Sequence, residues 1–232
     1  MTVLSAMILA GGRSRRLGRD KALLTMPNGQ PLLTKTVQVA QALTSEVVVI
    51  TPWPERYETI VRPPAQLLLE TPHQQGPLGG FSQGWEAVQT DWCLVLACDL
   101  PQLASEPLQT WWAWIQKQQR DRDSELTMPG LGSAIASLAH SAHTSSKSQT
   151  LNQGISKQWE PLCGFYHRNC LPSLHRHLKA ASGAQSSSGL STPSSLSFQA
   201  WLEPLPIMTY NDLPESVLFN CNTAEDWAKI RA

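Results

Sequence analysis

A strand that empties straight into a glycine pair and a cluster of cations constrains this chain more than any other feature. Leu4–Leu9 is apolar apart from Ser5, the pattern of a strand covered on both faces in a parallel sheet. It runs into Leu9-Ala10-Gly11-Gly12-Arg13-Ser14-Arg15-Arg16-Leu17-Gly18-Arg19-Asp20-Lys21 without a linker. Gly11 and Gly12 let the main chain approach a ligand closely and adopt conformations closed to other residues. Successive N–H groups in such a turn form a concave nest for an anion. Arg13, Arg15, Arg16, Arg19 and Lys21 concentrate positive charge there, in a chain whose Lys+Arg 18 balances Asp+Glu 18. Open α/β sheets bind ligands outside the carboxyl ends of their strands, where this loop emerges. A polyphosphate is its natural occupant. The loop carries neither G-x-G-x-x-G nor G-x-x-x-x-G-K-[ST], so it is not a dinucleotide fingerprint or a Walker loop.

The rest of the first half alternates strand and helix signals. Residues 31–43 have helical spacing behind a proline, and 46–50 are β-branched and stop at Thr51-Pro52. Gln66–Leu69 is a short strand, and 79–88 a helix weakened by Gly80 and Gly84. Trp92–Ala97 is the most strand-like run, and 106–119 a helix capped by Ser105. Such alternation with short links predicts an α/β fold: a single-domain, Rossmann-like three-layer sandwich with a mostly parallel sheet and helices on both faces. A length of 232 residues suits one such domain.

The second half is less regular. Residues 131–156 and 182–197 are rich in Ser and small residues, too poor in apolar bulk to pack, and read as flexible insertions. Between them, 162–166 reads as a strand and the stretch after Leu171 as a helix. Residues 217–219 read as a strand, followed by a helix from Ala224 with Thr223 as its cap. The net charge of +0 argues against a nucleic-acid binder, and no apolar run is long enough to cross a membrane. Five cysteines without a C-x-x-C pair read as reduced thiols of a cytoplasmic protein, not as a zinc site. Trp111, Trp112 and Trp114 read as helix packing, and the histidines receive no role. No serine sits in a nucleophile elbow.

Asp99 closes the best strand, just before Leu100-Pro101. A carboxylate at the mouth of a parallel sheet, facing a phosphate nest, suits Mg²⁺, which takes one or two protein carboxylates plus substrate phosphates. Gly76-Pro77-Leu78-Gly79-Gly80 reads either as a turn or as a loop whose small residues let a second substrate lie close. Asn220 and Asn222 read as turn or cap residues.

These segments together resemble the MobA-like branch of GT-A-type nucleotidyltransferases, the molybdenum cofactor guanylyltransferases. The basic loop is similar to that family's L-A-G-G-x-S-x-R-M-G-x-D-K-x-L, with Leu17 in place of Met. Gly76–Gly80 resembles its G-P-L-A-G, and Cys98-Asp99-Leu100-Pro101 its C-D-x-P. Glu160-Pro161-Leu162-Cys163-Gly164-Phe165-Tyr166 and Phe219-Asn220-Cys221-Asn222-Thr223 resemble E-P-L-x-A-L-Y and F-x-N-x-N-T. All five matches occur in family order. One place departs: the family has an Asn near the base at the end of the second strand, and this chain has Ile50-Thr51. That departure falls on base selectivity.

The resemblance implies transfer of GMP from GTP to the terminal phosphate of molybdenum-loaded molybdopterin, with release of pyrophosphate. It implies nucleotide contacts at Leu9, Ala10, Gly11, Gly12, Lys21, Glu70 and Asp99, with Lys21, Arg16 and Asp99 as the catalytic set and Mg²⁺ on Asp99. Glu70 stands where the family commonly has Asp. Acceptor contacts fall at Gly76, Leu78, Gly80, Asn220 and Asn222. Partners would be the two substrates, with transient contact to molybdenum-insertion proteins and apo-molybdoenzymes. The same fold also serves cytidylyl and sugar-1-phosphate transfer, and a nucleotide-binding scaffold without catalysis is a third reading.

Overall fold

The apolar runs of the first half become four adjacent strands of one seven-stranded sheet. A computed structural model describes residues 4–12, 18–71, 76–124, 134–137, 160–188, 196–205 and 207–231. The strands are β1 Leu4–Leu9, β2 Val47–Thr51, β3 Gln66–Leu69, β4 Trp92–Ala97, β5 Ala134–Ser137, β6 Cys163–His167 and β7 Met208–Tyr210. Their spatial order is β3-β2-β1-β4-β6-β5-β7. β1 pairs in parallel with β2 and β4, and β2 with β3. β6 runs antiparallel to β4 and β5, while β5 and β7 are parallel. β6 is therefore the one reversed strand among the described residues, and the sheet is mostly parallel as the alternation predicts.

The helices are α1 Leu32–Gln41, α2 Gly76–Ala87, α3 Ser105–Ser124, α4 Leu171–Ser188, α5 Phe198–Leu202 and α6 Ala224–Arg231. Period-two alternation sorts the central strands into two cores. Ala6 and Ile8 of β1 and Leu94 and Leu96 of β4 join Leu33 and Val37 of α1 and Trp111 of α3 on one face. Met7, Cys93 and Val95 join Phe81 of α2, Leu174 of α4 and Trp201 of α5 on the other. Each large aliphatic side chain so buried contributes roughly 1.5–3 kcal/mol. Trp111 is wholly buried and stacks on Tyr210 with 5.4 Å between ring centroids, so it packs the core as its sequence reading expected.

Several elements differ from that reading. Residues 217–219 are not a strand: Glu215–Leu218 is a 3₁₀ turn behind Pro214, and the neighbouring strand is β7 instead. Gly76–Gly80 is not a loop but the opening of α2. Gly76 has φ +61°, which a side chain would strain, and Pro77 presets the helical φ behind it. Within the two stretches read as insertions, Ala134–Ser137 is a strand and α4 runs on to Ser188. The strand's partners on both sides supply the pairing that composition hides. The other residues of 131–156 and most of 189–197 lie outside the described residues.

Candidate active site

Four parallel strands end side by side, and their carboxyl ends open into a cleft of about 590 Å³. β1 supplies Leu9, Ala10, Gly11 and Gly12, β2 Pro52 and Trp53, β3 Glu70, and β4 Ala97, Cys98 and Asp99. Gly76, Pro77 and Gly80 enter from the start of α2, and Leu162 from the turn before β6. Asp20 and Lys21 follow the basic loop. Arg13, Arg15 and Arg16 lie outside the described residues, so the expectation for Arg16 falls there too.

Lys21 is the point where distant segments meet. Its Nζ donates to Asn222 Oδ1 at 2.7 Å and lies 3.6 Å from Asp99 Oδ2. The Cys221 N–H donates to the Asp99 carbonyl at 2.9 Å. The last segment is thereby tied to the strand end that carries the carboxylate. Asn222 is fixed in turn, because its N–H donates to Asp226 Oδ2 at 3.0 Å. Asp226 also accepts from Thr223 N–H at 2.9 Å, while Asp226 N–H donates to Thr223 Oγ1 at 3.1 Å. This is a capping box with Asp in the Glu position. Those bonds hold the Asp226 carboxyl below its ordinary range, the Asn222 N–H first among them. Asn220 turns elsewhere, donating to Glu160 Oε2 at 2.7 Å.

Asp20, to which sequence reading gave no role, holds Lys21 in place. Its Oδ1 accepts the Ala22 N–H at 3.0 Å and caps the 3₁₀ turn Lys21–Leu23. Its Oδ2 accepts from the Tyr57 hydroxyl at 2.8 Å and lies 3.9 Å from Arg56. Tyr57 is buried, and burial, then the Asp20 bond, pushes its phenol far above the ordinary range. An Asp before Lys is a local cap signal, but a tyrosine 37 positions on is invisible to any motif.

Glu70 explains two glycines at once. A Cβ on Gly11 would stand 2.6 Å from Glu70 Oε2, and one on Gly80 3.3 Å from Oε1. The carboxylate fits between the first and second motifs because both lack a side chain. Leu78 behaves differently: it is wholly buried in the α2 core, so its side chain packs and is not in the cleft. Thr51 is also buried.

Asp20, Glu70 and Asp99 put three carboxylates against one ammonium among the described lining residues. One carboxylate at a strand end plus phosphate oxygens fits a divalent ion. Among the described residues no group of three His, Cys, Asp or Glu could hold a metal alone. Burial, then the neighbouring Asp99 and Asp20, pushes the Cys98 thiol up to about 12. It stays protonated at neutral pH and is no nucleophile.

The model of the MobA-like NTP transferase domain matches residues 6–191. The chain belongs to the MobA-like NTP transferase family. A probable molybdenum cofactor guanylyltransferase of Nostoc sp. is 39% identical over 231 residues, covering 100% of this chain and 92% of the relative. One of Synechococcus elongatus is 35% identical over 229 residues, covering 98% and 97%. Among solved structures, molybdopterin-guanine dinucleotide biosynthesis protein A of Archaeoglobus fulgidus superposes with TM-score 0.65 at 18% identity, covering 98% of this chain and 96% of that one. A nucleotidyl transferase of Methanothermobacter thermautotroptrophicus gives TM-score 0.63 at 19% identity, covering 98% and 95%. These two likenesses show the fold. This MobA-like transferase is thus a nucleotidyltransferase, and its cleft lies where the family's motifs converge. No helix among the described residues is long and apolar enough to cross a membrane.

Proposed function

We propose that this transferase moves GMP from GTP to the terminal phosphate of molybdopterin and releases pyrophosphate. The observation that carries the reading is the convergence on Lys21: the first motif reaches Asp99 of the third at 3.6 Å and Asn222 of the last at 2.7 Å. The name borne by the relatives supports the same chemistry.

The attacking group is already an anionic phosphate, so no general base is needed. Catalysis is positioning and charge neutralisation. The Gly11–Gly12 backbone and Lys21 hold the triphosphate, with Arg16 expected to offset charge on the transferring phosphoryl group. Leu9, Ala10 and Glu70, which line the cleft, would contact the nucleotide. Gly76, Gly80 and the asparagines belong to the acceptor side, where Asn222 acts on Lys21 and Asn220 on Glu160. Asp99 would hold Mg²⁺, which would supply positive charge to stabilise the leaving pyrophosphate. Five free thiols suit a reducing compartment, in keeping with a cytoplasmic enzyme. Insertion proteins and apo-molybdoenzymes would meet it only transiently.

Titration calorimetry with GTP, CTP and ATP, with and without Mg²⁺, tests the reading. The expected result is preferred GTP binding that weakens without Mg²⁺ and in Asp99→Ala. A preference for CTP, or no dependence on either change, contradicts it.

A further inference from the structure

We infer that Trp53 is the stacking surface for the nucleobase; the inference rests on the nucleotide reading of the cleft. β2 brings three residues in succession to the cleft rim. Thr51 is fully buried, and its Oγ1 accepts the Trp53 N–H at 3.2 Å. Its hydroxyl is thus turned to its own chain. Pro52 has no N–H to offer, and its ring packs close to Gly11, where a Cβ would stand 3.1 Å from Pro52 Cδ. What β2 presents to the cleft is a proline and an indole.

The indole is held before any ligand arrives. The Arg56 guanidinium lies over its ring, 4.4 Å from the centroid. The Arg56 N–H donates to the Trp53 carbonyl at 3.1 Å. Arg56 is itself drawn to Asp20, at 3.9 Å. Trp53 borders the cleft and Arg56 does not, so the guanidinium backs the indole from outside. β2 is the neighbour of β1 in the sheet, and adjacent strands lie about 4.8 Å apart. A nucleotide whose phosphates span the β1 loop and Asp99, at the end of β4 on the other side of β1, has the β2 side of the cleft left for its base, where Trp53 stands. A flat ring fixed in this way takes bases by their π-faces and is tolerant of their hydrogen-bonding edges. It favours a purine over the smaller pyrimidine ring and leaves the choice between purines to other groups.

Equilibrium dialysis with GTP, CTP and inorganic tripolyphosphate separates the parts of this claim. Trp53→Ala should weaken GTP about tenfold or more, in line with base–aromatic stacking. CTP should weaken less, tripolyphosphate should be unaffected, and Trp53→Phe should retain most of the GTP affinity. Trp53→Leu keeps apolar bulk without an aromatic face and replaces the alanine variant if that one melts early. GTP affinity within twofold of wild type in both the Ala and Leu variants overturns the role of Trp53 while leaving the nucleotide reading intact. Equal losses of GTP and tripolyphosphate overturn the assignment of the indole to the base. Failure of the wild-type protein to bind GTP overturns the nucleotide reading, and this inference with it.

Discussion

At the scale of single residues, Lys21 is the hub, because one ammonium answers both Asp99 and Asn222. Lys21→Ala is expected to lower the rate of pyrophosphate release about a hundredfold, the size of a lost preorganised donor, with the melting temperature little changed. A normal rate removes Lys21 from the mechanism. Tyr57→Phe deletes the hydroxyl that Asp20 accepts at 2.8 Å and is expected to lower stability by about 1 kcal/mol, read from the urea midpoint. An unchanged midpoint means that Arg56 and the Ala22 N–H hold Asp20 alone. Lys21, Asp99, Glu70 and the Gly11–Gly12 pair were legible as cleft-lining residues because each lies in a short motif beside a strand. Asp20, Tyr57 and Trp53 were not given roles, because their partners are distant in sequence or only the cleft wall reveals them. Leu78, whose side chain is buried, shows what a motif letter leaves open: it reads alike whether the side chain faces a cleft or the core.

At the scale of elements, α2 carries a conflict that sequence reading saw from one side only. Gly84 lowers helix propensity by about 1 kcal/mol relative to Ala. Yet a Cβ there would stand 2.3 Å from Ile50 Cδ1 and 2.4 Å from Met7 Cε. Both neighbours are buried, so the ends of both side chains must repack, and overpacking of this kind costs about 1–3 kcal/mol. Gly84→Ala is therefore expected to destabilise despite its better propensity, and a raised melting temperature would contradict this packing account. α6 and the segment before it depend on charge. Asp226 has its carboxyl held below the ordinary value, 3.8. A lowered folded-state value means stabilisation that is complete above that value and is lost as pH falls through and below it. Asp226→Asn should loosen α6 at pH 7, and the difference from wild type should vanish on acidification, as followed by hydrogen exchange of the 222–226 amides. A difference that persists to pH 2 would show that the carboxylate charge is not what holds the cap. The strong strands were legible from apolar runs. β5 and β7 were not, since Ala134–Ser137 and Met208–Tyr210 are short and their ordering comes from pairing, β5 with both β6 and β7.

At the scale of the whole molecule, the ends of β1 to β4 build the cleft, and Leu162 borders it from the turn before β6. β6 reverses against β4, and the chain then returns to bring Asn222 against Lys21, 201 positions away. Strand–helix alternation made the fold class legible, because parallel strands require crossovers. The order of strands past β4 was not legible, since nothing local in the second half encodes which edge each strand joins. The central claim is group transfer through that cleft. GTP labelled at the α-phosphorus, incubated with molybdopterin and Mg²⁺, tests it most directly. The account predicts label in a guanine dinucleotide of the pterin and unlabelled pyrophosphate in equal amount. Label recovered as GDP or free GMP, or no turnover with the acceptor present, would contradict it.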